Sequence, residues 1–321
     1  MNALPSVVDA GGTELALLME RIERQMQAQV GGYGSLLGDL ASDTLAAGGK
    51  RLRPLLVCLA AGVPPPDSAS LVRAAVAVEL VHAATLVHDD VLDGSSLRRG
   101  QPTVVAAAGR TRATATGDLL FARAFAELTA GGSVPAVRVL SRASSELAEG
   151  ELMQQADAFD VGVSIGRYLE RCRLKTGVLF RAACELGALS GRAGSVELLA
   201  SYGEQIGIAF QLLDDVLDVA GPPERTGKPQ GADLLDGTVT LPLIVARARD
   251  SEVAAVQLRE INGADQALEL CNRIIATGAL DDARSRALEL VQEAKSLTAT
   301  LPARQQDVLE LVADGVVERY A

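Results

Sequence analysis

The sequence has 321 residues, 48% of them hydrophobic and 22% charged, and a formal net charge of −11. That length can bury a large core, and a mean hydropathy of +0.21 at this charge content excludes a disordered chain. A pI near 4.8 lacks the basic footprint of a nucleic-acid binder, so no nucleic-acid partner is expected.

In chain order, the opening MNALPSVVDAGGTELALLME has no basic segment followed by an apolar run, so no secretory signal is expected. No run of about 18 uncharged apolar residues predicts a membrane span, and the chain is expected to be cytoplasmic. Gly48-Gly49 breaks a helix ahead of KRLRP, and Gly62–Pro66 breaks another. Residues 70–92 are apolar too densely for a surface helix and predict one buried on most sides. Leu174–Leu189 and Leu198–Val219 read the same way, while 138–156 and 281–300 are amphipathic. Gly131-Gly132 and Gly191–Gly194 look like helix ends. The longest irregular segment is 220–240, with three prolines and four glycines, the kind of loop that serves as a lid or binding element. Alternating strand patterns are scarce. The expectation is an all-α fold in one large domain spanning 1–321.

The pentapeptide DDVLD occurs twice, at 89–93 and 214–218, each time on an apolar helix. Asp89 and Asp93 are four residues apart and share a helix face, with Asp90 about 100° round. Asp214 and Asp218 repeat the spacing, with Asp215 as the offset member. Clustered like charges beside a core are unfavourable, and a divalent cation relieves them most simply. Carboxylate oxygens suit Mg²⁺, which shares its shell with water and phosphate, so two such clusters predict several Mg²⁺ around one diphosphate. Read singly, either cluster could be an acidic surface face. Cations stand nearby: Lys50, Arg51 and Arg53 at a glycine-rich break, and Arg98-Arg99 shortly after Asp93. Side chains and backbone N–H groups at such breaks bind phosphate. The four cysteines form no C-x-x-C pair, and the two histidines, His82 and His88, leave little for a histidine-based metal site.

The order of these motifs resembles that of the trans-isoprenyl diphosphate synthases, the family of farnesyl and polyprenyl diphosphate synthases. The resemblance runs from about residue 45 to 245. It rests on GGKRLRP (48–54), ELVHAATLVHDDVLDGSSLRRGQPT (79–103), GDLLFARAF (117–125), GELMQQ (150–155), KTG (175–177) and GIAFQLLDDVLD followed by GKPQGADLLDGTVTLP. It implies the isoprenoid synthase type of helical bundle around a central cavity. It also implies Mg²⁺-dependent condensation of isopentenyl diphosphate with an allylic diphosphate, in a homodimer with at most peripheral membrane contact. By position, Lys50, Arg53, His82 and Arg99 would bind isopentenyl diphosphate. Arg98, Lys175 and Lys228 would grip the allylic diphosphate, with Thr176 and Gln211 at the reacting centre. Asp89, Asp93 and Asp214 would coordinate Mg²⁺, supported by Asp90, Asp215 and Asp218.

The growing tail would run along the first aspartate helix, past Thr85, Ala84 and Val81. Five residues of helix rise about 7.5 Å. Short-chain relatives carry an aromatic there, so Ala84 and Thr85 resemble an open floor and a product of C30 or longer, such as a quinone side chain. Phe121 or Phe125 could still close the path lower down. Thr238, Gly177 and Ala232 depart from the family pattern. The alternatives are a short-chain synthase, a non-catalytic subunit of a heteromeric synthase, and a class I terpene cyclase. The nine aromatics in the chain are few for a cyclase, which shields its cation with rings.

Overall fold

The computed structural model describes residues 3–31, 33–34, 37–98, 100–191, 195–222 and 229–318. Two of the cations singled out above, Arg99 and Lys228, lie outside that set. The described chain is almost wholly helical. It opens with α1 (Ala3–Gly11), α2 (Thr13–Val30), α3 (Gly38–Ala46) and α4 (Leu52–Ala60), followed by the long α5 (Ala69–Asp93). A two-residue antiparallel pair, β1 (Leu97–Arg98) and β2 (Gln101–Pro102), sets Leu97 opposite Pro102. Then come α6 (Val104–Ala108), α7 (Arg110–Ala130), α8 (Val134–Asp157), α9 (Ile165–Cys172), a π-helical turn (Arg173–Gly177) and α10 (Val178–Ser190). The second long helix is α11 (Val196–Ala220), followed by α12 (Ala232–Leu235), α13 (Leu241–Arg249) and α14 (Ser251–Ala255). After a 3₁₀ turn (Leu258–Glu260), the chain ends in α15 (Ala264–Ala276), α16 (Ala279–Thr298) and α17 (Ala303–Glu318).

Local chemistry starts these helices where they start. Ser68, Ser133, Ser164 and Ser195 stand at the N-caps of α5, α8, α9 and α11, and each side chain accepts a hydrogen bond from a backbone N–H of the first turn. Gly94, in the left-handed region, ends α5 just after Asp93. Buried apolar side chains from Val7 to Val316 form one continuous core. The broadest packing joins α5 to α7, α11 to α16, and α10 to both α11 and α4. As expected, α5 is buried on most sides. It is long and apolar enough to cross a membrane, yet 72% of its most apolar stretch is buried inside the protein.

One expectation needs correcting. The irregular stretch is shorter than 220–240, because α11 continues to Ala220 and α12 occupies Ala232–Leu235. The cause is Asp218. Its main-chain carbonyl accepts from Gly231 N at 2.9 Å, and its carboxylate from Asp233 N at 3.2 Å. A carboxylate at the first N–H groups of a helix starts that helix.

Two glycines set the spacing around the π turn. A Cβ on Gly150 of α8 would lie 2.7 Å from Leu174 Cβ and 3.0 Å from Lys175 Cγ. A Cβ on Gly177 would lie 3.1 Å from Ile208 Cγ1 of α11. The missing side chains let α8 and α11 close on the turn that carries Lys175 and Thr176, which is a physical reason for glycine at 177.

Candidate active site

A cavity of about 670 Å³ opens between α5, α8, α9, α10 and α11, with α12 and residues 236–238 along one side. That size suits small-molecule ligands, whose pockets run to about 300–1,000 Å³. Of the residues named from sequence, Arg53, His82, Thr85, Asp89, Asp93, Arg98, Lys175, Thr176, Gln211, Asp214 and Asp215 stand in its wall. The two aspartate motifs, 121 residues apart at their closest, therefore meet at one space.

Other named residues are placed elsewhere. Asp90 is 4% exposed, outside the wall, and bonded by Arg98 at 2.8 and 2.9 Å. The helical turn that aims Asp89 at the cavity swings Asp90 toward the β1–β2 pair. Asp218 is buried and spends its carboxylate on α12. Lys50 is exposed and outside the wall. Val81 and Ala84 are fully buried and do not line it, so Thr85 alone of the three chain-length candidates reaches the cavity. Arg51 is not a free phosphate ligand either. Its guanidinium is held by Glu23 at 2.9 and 3.0 Å, by Glu79 at 3.1 Å and by the Leu45 carbonyl at 2.7 Å.

Sequence reasoning passed over several groups that the structure brings to the wall. Glu151 of α8 pairs with Lys175 Nζ at 2.6 Å. Tyr168, wholly buried, donates its hydroxyl to Asp215 Oδ2 at 2.6 Å. Gln211 Nε2 donates to Asp215 Oδ1 at 2.8 Å, and Thr176 Oγ1 donates to Gln211 Oε1 at 2.7 Å. The chain Thr176–Gln211–Asp215–Tyr168 thus locks four side chains in one orientation. Glu151 had a signal in the GELMQQ stretch. Tyr168 had none, since it meets Asp215 only through 47 residues of fold.

The electrostatics call for a counter-charge. The described wall holds seven carboxylates (Asp89, Asp93, Glu151, Asp214, Asp215, Asp233, Asp236) against four fixed cations (Arg53, Arg98, Arg171, Lys175). Burial pushes the Asp89 carboxyl up to about 7, against the pull of Lys175 and with help from Glu151. Asp93 is raised for the same first reason. Burial and the charge of Asp233 carry Asp215 to about 8, although its bonds from Tyr168 and Gln211 hold it down. Among the described residues, no three His, Cys, Asp or Glu side chains stand close enough to hold a metal ion alone. An acidic wall with dispersed oxygen donors fits Mg²⁺ completed by water and substrate phosphate, rather than a closed all-protein cage.

An all-α bundle around one cavity, with both aspartate motifs reaching its wall, is the isoprenoid synthase class of fold. The chain belongs to the polyprenyl synthetase family, whose model matches residues 35–276. It is similar to "Heptaprenyl diphosphate synthase component 2" of Geobacillus stearothermophilus, 42% identical over 76% of this chain and 75% of that protein. It is also similar to the geranylgeranyl diphosphate synthase of Methanosarcina mazei, 36% identical over 85% of this chain and 86% of the relative. Among solved structures, a polyprenyl synthase from Caulobacter crescentus, complexed with calcium and isoprenyl diphosphate, superposes with a TM-score of 0.92. It is 37% identical and covers 98% of both chains. The protein is a prenyltransferase that makes prenyl diphosphates.

Proposed function

We propose that this chain, acting as one catalytic domain, condenses isopentenyl diphosphate head-to-tail with an allylic diphosphate, extending a trans-polyprenyl diphosphate to C30 or longer. The observation that carries this reading is the sharing of one cavity by both aspartate motifs and by the anion-binding side chains Arg53, His82, Arg98 and Lys175. Mg²⁺, held by Asp89, Asp93 and Asp214, would neutralise the diphosphate as the allylic C–O bond breaks.

The chain's own groups do the rest. Arg98 and Lys175 donate to the leaving diphosphate, which gathers charge as it departs. Lys175 then divides itself between that anion and Glu151. Arg53 and His82, with Lys50 and with Arg99 beyond the described residues, would hold the second diphosphate so that its alkene lies beside the forming cation. Thr176 donates its hydroxyl hydrogen bond to Gln211, and its oxygen lone pairs are left to face positive charge. After the new C–C bond forms, a proton passes to a diphosphate oxygen and the lengthened product reacts again. Lys228 would complete the allylic grip, and Asp90, Asp215 and Asp218 keep their neighbours in place.

The long-chain reading is supported by the small and aliphatic side chains that precede Thr85 on α5, Ala84 and Val81, and by Thr85 itself, where a bulky residue would close the path. A shorter product is favoured by the likeness to the Methanosarcina synthase. Phe121 and Phe125, partly buried and packed against the core, are the side chains that would stop it. We take the protein to be a cytoplasmic homodimer, since this chain supplies both motifs and the anion-binding side chains itself. Its apolar product calls for no more than peripheral membrane contact. The test is incubation with farnesyl diphosphate, excess isopentenyl diphosphate and Mg²⁺, with mass spectrometry of the dephosphorylated products. Products of C30 or more are expected, shortening in T85F. Arrest at C20 would overturn the length, and no elongation at all would overturn the reaction.

A further inference from the structure

Arg171 stands at a junction that phosphate chemistry does not explain. It lies in the last turn of α9, lines the cavity, is 4% exposed, and contacts the end of α8, the backbone before α13 and a ring of its own helix. One N–H donates to Asp157 Oδ2 at 3.3 Å, at the end of α8. Another donates to the carbonyl of Val239, just before α13. Its guanidinium carbon is 5.6 Å from the centre of the Tyr168 ring, whose hydroxyl holds Asp215.

The stretch it grips has a second tether. Phe159 N–H donates to the Gly237 carbonyl at 2.7 Å. A Cβ on Gly237 would lie 2.5 Å from the Phe159 ring, so only glycine lets that ring sit there. The Arg259 guanidinium lies 4.5 Å from the same ring. Thr238 lies between the two tethered carbonyls, Asp236 precedes them, and both line the cavity. Asp236 is close enough to Asp93 for its charge to act on that carboxyl.

A buried ion pair is weak evidence for stability, because desolvation offsets the attraction; its better-attested use is to fix geometry. Arginine suits that use, since its rigid fork serves two acceptors in different directions. We propose that Arg171 is a positioning residue that, together with Asp157, ties down the backbone at 237–239 and so holds Asp236 and Thr238 against the first aspartate cluster. The ligand affected, the cation-bound allylic diphosphate, rests on the function proposed above, whereas the tether itself does not.

The variants R171M, R171K and R167M test this. Arg167 gives Asp157 a second partner at 2.6 Å, so the carboxylate stays paired in R171M. Hydrogen exchange of the substrate-free chain should speed up about tenfold at 237–241 in R171M, with α16 unchanged. The KM for the allylic diphosphate and the Mg²⁺ needed for half-maximal rate should each rise about tenfold, and the KM for isopentenyl diphosphate less than about twofold. R171K should recover part of the loss, and R167M should match the wild type at 237–241. Unchanged exchange in R171M would overturn the proposal, as would an equal rise in both KM values with exchange speeded equally in all regions, α16 included. Exchange is read without turnover, so a failure of the reaction and a failure of the tether are told apart.

Discussion

The closeness of α8 to the π turn makes Gly150→Ala an informative perturbation. An added Cβ would fall 2.7 Å from Leu174 Cβ, 3.0 Å from the Leu174 carbonyl carbon and 3.0 Å from Lys175 Cγ. Two of these atoms cannot swing away, one being main chain and the other a Cβ, so α8 and the π turn have to separate. Overpacking of this kind costs about 1–3 kcal/mol. At about 2 °C per kcal/mol for a large domain, Tm should fall by about 2–6 °C. The loss of activity should be larger than that fall suggests, because the displaced turn carries Lys175 and Thr176. A shift approaching 1 Å at groups that position a reacting pair costs up to about 10²-fold in rate. Calorimetry and kcat/KM for the allylic diphosphate are the assays. Retention of both Tm and kcat/KM near wild-type values would refute the reasoning that this contact places Lys175.

Three further outcomes follow from the site. Asp89 and Asp215 both titrate above the ordinary carboxylate range of 3.8, at about 7 and about 8. Groups raised in the folded state favour folding below their unfolded pKa, and that contribution is lost as pH rises through the folded value. With chelator present, the part of Tm due to these two groups should therefore be higher at pH 6 than at pH 8, and saturating Mg²⁺ should remove the difference. A calorimetric pH series that shows the chelated protein gaining stability from pH 6 to 8 would contradict this. Tyr168→Phe removes a donor to a buried carboxylate, a bond worth about 1.5–3 kcal/mol. It should raise Asp215 further and move the acidic limb of the pH–rate profile upward; an unmoved limb would show that Asp215 does not depend on Tyr168. Arg51→Met strips the cation from Glu79, which is 4% exposed, and breaking a buried pair costs about 3–5 kcal/mol. Urea unfolding reads that loss, and a change below about 1 kcal/mol, the ceiling for a surface pair, would return Arg51 to the role of a solvent-facing cation.

Much of the site was legible because its chemistry is local. Asp89 with Asp93 is readable from spacing on an apolar helix, and so are the long helices themselves; in the second motif spacing pairs Asp214 with Asp218, whereas Asp214 and Asp215 line the cavity. Other roles depend on partners that only the fold supplies. Arg51 and Arg53 look alike in GGKRLRP, yet Arg51 meets Glu79, 28 residues away, and Arg53 faces the cavity. Asp90 shares the motif with Asp89, yet it is Arg98 that bonds its carboxylate. Tyr168 and Arg171 find their partners 47 and 68 residues on, across a distance that no periodicity encodes. The helical turn at Ala232–Leu235 was hidden in a glycine- and proline-rich stretch because its start depends on the Asp218 carboxylate. Gly177 reads as a departure in sequence and as a close helix crossing in space.

The most direct test replaces one carboxylate from each motif, Asp89→Asn and Asp214→Asn, and follows condensation and diphosphate release while Mg²⁺ is titrated at pH 8. If the two motifs share one cation-bound diphosphate, each variant should lose at least about 10²-fold in kcat, as expected when a group that stabilises leaving-group charge is removed. The half-saturating Mg²⁺ concentration should rise in both, while the KM for isopentenyl diphosphate stays close to that of the wild type. A variant of either motif that keeps wild-type kcat and Mg²⁺ dependence would contradict a shared site and would leave that motif as an acidic helix face.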